Sequence, residues 1–166
     1  PITLDLLTKC ITTALPTLSL PTFELSLFKA MFAVAFFGLL RIGEICTVSS
    51  DQAHTLQYND VQHQGDPQGY ILSLRSYKFS KGRGAKILLQ RHHDTSICPV
   101  ACLTTFLSHR GNGQGPLFRK MDGRAVTRTE FSTILTRVLR SLNINPTSYK
   151  GHSFRIGGAT YAAQLG

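Results

Sequence analysis

Between Glu24 and Arg41 the chain runs for 16 residues, 25–40, with Lys29 as the only charge. No other segment limits the possible folds so strongly. A bilayer span needs roughly 20 apolar residues, so this one is too short, and no membrane span is expected. Apolar on nearly every side, it reads instead as a helix, about residues 22–37, at the centre of a folded domain. The whole chain has 166 residues, of which 42% are hydrophobic and 16% charged. That is the length of one domain and enough apolar material to surround such a helix, and it rules out wholesale disorder.

The elements around this helix follow from periodicity and punctuation. Leu4, Leu7, Ile11 and Ala14 recur at helical spacing behind Thr3 as N-cap, and residues 16–21 form a turn between two prolines. A helical turn or two over 41–48 follows the apolar helix. Three strand-like stretches come next, at 56–61, 70–75 and 85–89. Gly65, Asp66 and Pro67 join the first two. Residues 76–84 join the second and third, as a hairpin whose tip is basic. Pro99 at the first helical position opens a helix to about His109, and Gly111 to Gly115 reads as a flexible connector. Thr127-x-x-Glu130 is a capping box, and Phe131, Ile134, Leu135, Val138, Leu139 and Leu142 form an apolar stripe behind it. His152 starts the last helix. The expected fold is therefore α+β, mainly α, with a small three-stranded antiparallel sheet.

Charge is distributed unevenly. Residues 1–74 carry three bases against six acids, whereas residues 75–166 carry 15 bases against three acids, within a net charge of +9. A polarised basic half suits a polyanionic partner, most often nucleic acid. Cys10, Cys46, Cys98 and Cys102 form no dense framework, so a reduced intracellular chain is expected. His92-His93 with Cys98-x3-Cys102 is the nearest approach to a zinc site, but no second ligand pair completes it, and no metal is expected. Several chemistries are unsupported. Arg155 occupies the final glycine position of what would be a nucleophile elbow at Gly151 to Arg155. There is no P-loop, and no carboxylate cluster suited to a two-metal nuclease.

Three pieces could carry chemistry. Arg41 and Glu44, in Arg-Ile-Gly-Glu, are three residues apart and would share a helical face, the carboxylate holding the arginine. The hairpin tip supplies Lys78, Lys81 and Arg83, with Lys86 behind them, all suited to a phosphate backbone. His152 and Arg155, in Gly-His-Ser-Phe-Arg-Ile-Gly-Gly-Ala-Thr, are likewise three apart at a helix start, where the helix dipole favours an anion. Phe154 and Ile156 would turn inward there, and the two glycines would permit close packing. Fixed cations gathered from distant segments suit a phosphodiester transition state, in which negative charge grows on the non-bridging oxygens.

In this order the motifs resemble the catalytic domain of tyrosine recombinases, the phage-integrase and Xer-type enzymes. The wording around His152, with Cys-Pro-Val-Ala at Cys98 and Gly-Pro-Leu-Phe at Gly115, is similar to the eukaryotic DIRS-type and Crypton-like mobile-element branch. The resemblance covers essentially the whole chain. It implies that Arg41 and Arg155 clamp the scissile phosphate and that His152 hydrogen-bonds it and assists proton transfer. It also implies that a hairpin lysine, Lys78 or alternatively Lys81, protonates the departing 5′ oxygen, with Glu44 supporting Arg41. Arg83 and Lys86 would add contacts to DNA. No cofactor is implied. The partner would be double-stranded DNA, the assembly a tetramer on DNA, and the location the nucleus for an element of that branch.

The family's nucleophilic tyrosine lies some tens of residues beyond His-x-x-Arg. This sequence continues for only eleven residues after Arg155; Tyr161 is six residues past it and Tyr149 precedes the motif. The expectation is a catalytic-type domain over residues 1–166, cut at both ends and inactive by itself, without the attacking tyrosine or an N-terminal DNA-clamping domain. A DNA-binding module that has lost cleavage and a type IB topoisomerase-like relaxing enzyme are the alternatives. Retention of Arg41, Lys78, His152 and Arg155 together favours an enzyme over a module that needs only general basicity.

Overall fold

A computed structural model describes residues 1–48, 55–65, 68–74 and 84–166. In chain order its elements begin with α1 (Leu4–Lys9), a π-helical stretch (Cys10–Ala14), α2 (Leu15–Thr17), α3 (Thr22–Phe37) and α4 (Ile42–Ile45). A 3-10 turn (Tyr58–Asp60) leads into β1 (Val61–Gln64), β2 (Gly69–Leu74) and β3 (Ala85–Gln90). The chain then forms α5 (Pro99–Arg110), α6 (Arg128–Ser141), a second 3-10 turn (Pro146–Ser148) and α7 (Ser153–Gln164). This is the expected mainly α architecture with one small antiparallel sheet.

α3 is the axis. Leu27, Met31, Phe32, Val34 and Phe36 are all fully buried, as the unbroken apolar run requires. The other helices gather on it. Phe32 meets Phe131 of α6 at 5.5 Å and Phe154 of α7 at 5.0 Å, and Phe23 meets Phe106 of α5 at 5.8 Å. Among the described residues no helix is long and apolar enough to cross a membrane.

The N-terminal helix begins as expected, with Thr3 Oγ1 accepting from the N–H of Leu6 at 3.1 Å. It then widens. Leu15 donates to the carbonyl of Cys10, five residues back, just before Pro16, which has no N–H to offer the ordinary helical ladder. α6 follows its capping box closely. The N–H of Glu130 donates to Thr127 Oγ1 at 3.0 Å, and the N–H of Thr127 donates to Glu130 Oε1 at 3.0 Å. Five of the six apolar stripe residues are buried; Leu142, just past the helix end, is half-buried.

The sheet has the order β1-β2-β3, all antiparallel, with Tyr70 opposite Leu89, Leu72 opposite Ile87 and Leu74 opposite Ala85. Its first strand starts later than alternation predicts. The N–H of Gln57 donates to the Asp60 carboxylate at 2.8 Å, closing a 3-10 turn where residues 57–60 were expected to be extended. Asp66, Pro67 and residues 75–83, the last including Lys78, Lys81 and Arg83, lie outside the described residues.

The glycine-rich connector is not slack. Buried Arg110 donates to the carbonyls of Leu117, Gly111, Gly113 and Pro116 at 2.8–3.0 Å, and its guanidinium lies 4.5 Å from the centroid of the Tyr58 ring. Burial pulls its pKa down to about 10. Carbonyl oxygens are abundant in a loop free of regular ladder bonds, so one arginine can organise the whole segment.

Candidate functional site

Arg41 owes its place to the way α3 ends. Gly38 caps the helix, Leu39 takes a left-handed φ of 54°, and Leu40 is buried. Arg41 follows in extended conformation, at φ −80° and ψ 151°, as the N-cap of α4. It therefore precedes the helix instead of sharing a helical face with Glu44. Glu44 still supports it, but through the main chain. The Arg41 N–H donates to Glu44 Oε1 at 2.6 Å, and the Glu44 N–H donates to the Arg41 carbonyl at 2.9 Å. The carboxylate braces the backbone of Arg41, and the guanidinium extends from a fixed base.

Arg155 is placed by close backbone packing. A Cβ on Gly157 would stand 1.6 Å from the Ile2 carbonyl oxygen, and one on Gly158 would stand 1.9 Å from that of Phe36. No other residue lets α7 lie against the chain start and the end of α3 at once. The Ile2 N–H donates to the Ser153 carbonyl at 3.0 Å, and Ser153 Oγ accepts from the N–H of Lys150 at 2.8 Å, which secures the helix start. Phe154 is buried as expected. Ile156 is not: it is 45% exposed, because the glycines, and not Ile156, face the packed side.

The two arginines, from opposite ends of the chain, line one cleft of about 410 Å³. Glu44 also lines it, and the walls are apolar: Phe37 and Leu39 from the end of α3, and Leu74 and Ile87 from the sheet. Leu74 and Ala85, the last residue of β2 and the first of β3, both border the cleft. His152 caps α7 and is exposed, outside the lining. Lys86 is exposed on β3 opposite Ser73 and does not line it either. Ion pairs among the described residues lie elsewhere, at Lys9–Asp5, Lys120–Glu130 and Arg124–Asp122. The cleft thus brings together two arginines among largely apolar neighbours, residue types suited to bidentate binding of an oxyanion.

A second cationic surface escaped the reading of the sequence. The outward face of α6 carries Arg128, Arg137 and Arg140 among Ser132, Thr133 and Thr136, along a shallow groove of about 520 Å³. Its signal was present as the polar complement of the apolar stripe: every outward position there is a hydrogen-bond donor. Arg128 also touches the Arg41 turn, since a Cβ on Gly43 would stand 2.6 Å from Arg128 Nη2.

The histidine–cysteine segment serves the fold. Cys98 Sγ accepts the N–H groups of His92 at 3.3 Å and Ala101 at 3.5 Å, and the Cys102 thiol reaches the Ser96 carbonyl at 3.7 Å. Burial pushes the Cys102 thiol up to about 11. Among the described residues no cluster could hold a metal. Tyr161 lies against Phe36 and Phe37, with its hydroxyl 3.1 Å from His92 Nε2. His92 Nδ1 accepts the Asp94 N–H at 3.1 Å, and burial together with neighbouring His93 holds its pKa below the usual value.

A scan with protein-family models finds no match to this sequence, and a search of curated proteins finds none. Solved structures do match. One is XerH site-specific recombinase bound to palindromic difH substrate in a post-cleavage complex, with a TM-score of 0.67 and 15% identity over 98% of this chain and 41% of that one. Another is XerH bound to difH substrate in a pre-cleavage complex, with a TM-score of 0.67 and 14% identity over 99% of this chain and 44% of that one. The chain spans about two fifths of the length of these structures. At such identity the likeness is one of fold, and the fold is tyrosine-recombinase-like.

Proposed function

We propose that the chain is the catalytic-type domain of a DNA strand-exchange enzyme and that the cleft between α3, the sheet and α7 holds the scissile phosphate. The observation that carries this reading is the convergence of Arg41 and Arg155 in one cleft bordered by the end of β2 and the start of β3. The site has the charge, the apolar neighbours and the access that a phosphodiester requires. The similarity to recombinases solved with DNA supports the same reading, as does the donor-rich face of α6, which suits a duplex backbone.

In the intact protein a tyrosine hydroxyl would attack phosphorus, its proton leaving with the assistance of His152, and the bond from phosphorus to the 5′ oxygen would break. The departing 5′ oxygen would take a proton from Lys78 or, alternatively, Lys81. Arg41 and Arg155 would carry the charge on the non-bridging oxygens, and His152, at the start of α7, would hydrogen-bond one of them. Attack by a 5′-hydroxyl of the partner strand on the 3′-phosphotyrosyl link would reverse the step. The link conserves the energy of the phosphodiester bond, so the chemistry calls for no cofactor. Double-stranded DNA is the partner, a tetramer on two duplexes is the working assembly, and the nucleus is the compartment for a mobile element of this kind.

The test uses the intact polypeptide containing the tyrosine. Arg41→Ala and Arg155→Ala should each lower covalent protein–DNA adduct on nicked duplexes by about 100-fold or more, while duplex affinity falls by less than about tenfold. Parallel collapse of adduct and affinity would reduce the arginines to general backbone contacts. Unchanged adduct formation would remove them from the site.

A further inference from the structure

α3 ends with two backward hydrogen bonds, from the Leu40 N–H to the Ala35 carbonyl at 3.0 Å and from the Leu39 N–H to the Phe36 carbonyl at 3.4 Å. This is the bond pattern of a helix closed by one left-handed residue, a position that glycine ordinarily fills because a side chain there crowds the backbone. Here the left-handed residue is Leu39, at φ 54°. A glycine is present, but one position too early. Gly38 has a φ of −88° and must stay bare for a different reason, since its Cβ would stand 2.7 Å from the Val34 carbonyl oxygen.

Burial does not explain why a leucine takes this conformation, because Leu39 is 37% exposed. Its contacts suggest another reason. The side chain is a wall shared by the arginine cleft and the neighbouring groove beside Tyr161. It also rests on the bare backbone of α7, where a Cβ on Gly158 would stand 2.8 Å from Leu39 Cδ2. Gly158 lies about one turn beyond Arg155, and Leu39 lies two residues before Arg41. The strained leucine thus touches one arginine's helix and leads directly into the other arginine's turn. Backbone strain held where two functional segments meet is the pattern expected of a residue kept for the site instead of for the fold.

We propose that Leu39 is a positioning residue of the cleft: its left-handed backbone and its contact with Gly158 set the spacing between Arg41 and Arg155. The proposal rests on the reading of the cleft as a phosphate clamp. Leu39→Gly relieves the backbone and removes the spacer, so stability and binding should move in opposite directions, which a merely structural residue would not produce.

The experiment titrates the isotopically labelled chain with dimethyl phosphate, following the arginine Nε–Hε signals by NMR, and records Tm for each variant. Leu39→Gly should hold or raise Tm while weakening phosphate binding by about threefold or more. Leu39→Ala, which keeps the strain and loses the spacer, should lower both. Leu39→Met, which restores the length of the side chain, should bring affinity back to within about twofold of the parent. Arg41→Ala and Arg155→Ala are the controls. If they abolish binding and Leu39→Gly leaves it intact, the positioning role is overturned while the clamp stands. If Leu39→Gly lowers Tm and affinity together, the role is structural and the proposal is overturned. If neither arginine matters to dimethyl phosphate, the clamp and the proposal fail together.

Discussion

The protein presents arginines in two ways. On α6, Arg128, Arg137 and Arg140 come from one helix, are exposed and line one shallow groove. In the cleft, Arg41 and Arg155 come from opposite ends of the chain, behind two caps and two glycines, against apolar walls. The first surface requires nothing but an amphipathic helix. The second requires most of the fold. A row of exposed cations suits a repeating line of phosphates, whereas two converging cations among apolar neighbours suit one phosphate held in one geometry. Local sequence is enough for general binding of a polyanion; selective binding of one group needs long-range packing.

The largest effect should come from breaking the packing under one surface only. Gly158→Ala places a methyl group 1.9 Å from the Phe36 carbonyl oxygen in the unrelaxed structure, so α7 must move. A loss of about 3 kcal/mol in chemical denaturation is expected, at the upper end of overpacking costs. Binding of dimethyl phosphate should disappear, while residual duplex binding through α6 survives in the folded fraction. If both bindings fell equally, the two surfaces would not be separable.

A smaller effect tests the other side. Arg137→Ala combined with Arg140→Ala should reduce the dependence of log affinity on log salt by roughly 1.8 for duplex DNA, about 0.9 per phosphate contact. Dimethyl phosphate binding should stay unchanged. Arg128 is left in place because its guanidinium reaches the Arg41 turn and so belongs to both surfaces.

The smallest effect concerns pH. The hydrogen bond from His92 to Tyr161 ties the chain after β3 to the helix of Arg155. The folded state holds the His92 pKa below its ordinary value of 6.5, through burial and His93, so the fold favours neutral imidazole. The unfolded chain then binds the proton more readily. The stabilisation is complete above about pH 6.5 and is lost as pH falls below it. Protonation also removes Nδ1 as acceptor for the Asp94 N–H. The Tm difference between the parent and His92→Gln should therefore shrink on acidification, and a difference constant from pH 5 to 8 would contradict this. His92 and Tyr161 line the groove beside α7, whereas no histidine lines the α6 groove, so the acid effect should be confined to the α7 side.

The same division governs how much of the molecule is legible in its sequence. The bounds of α3 follow from an apolar run between a proline turn and a glycine. Those of α6 follow from Thr127, Glu130 and the stripe behind them. Both are local patterns of burial and capping. The late start of β1 is not legible in this way, because the Gln57–Asp60 bond overrides a short alternating pattern. The connector at Gly111 to Gly115 looks slack until Arg110 is seen to bind its carbonyls. In the site, motif and resemblance single out Arg41, Glu44 and Arg155. The sequence did not reveal that Glu44 holds backbone instead of guanidinium, that Ile156 faces outward, or that Leu39 is left-handed. These depend on the sign of a backbone angle and on contacts between remote segments, which periodicity does not encode.

The central claim is that Arg41 and Arg155 hold the same phosphate, and a double-mutant cycle tests it most directly. Affinity for dimethyl phosphate would be measured for the parent chain, Arg41→Ala, Arg155→Ala and the double variant. If both arginines grip one phosphate, each single substitution should cost about tenfold or more, and the double should cost far less than the product of the two. Losses that multiply in full would mean two independent anion contacts and no clamp.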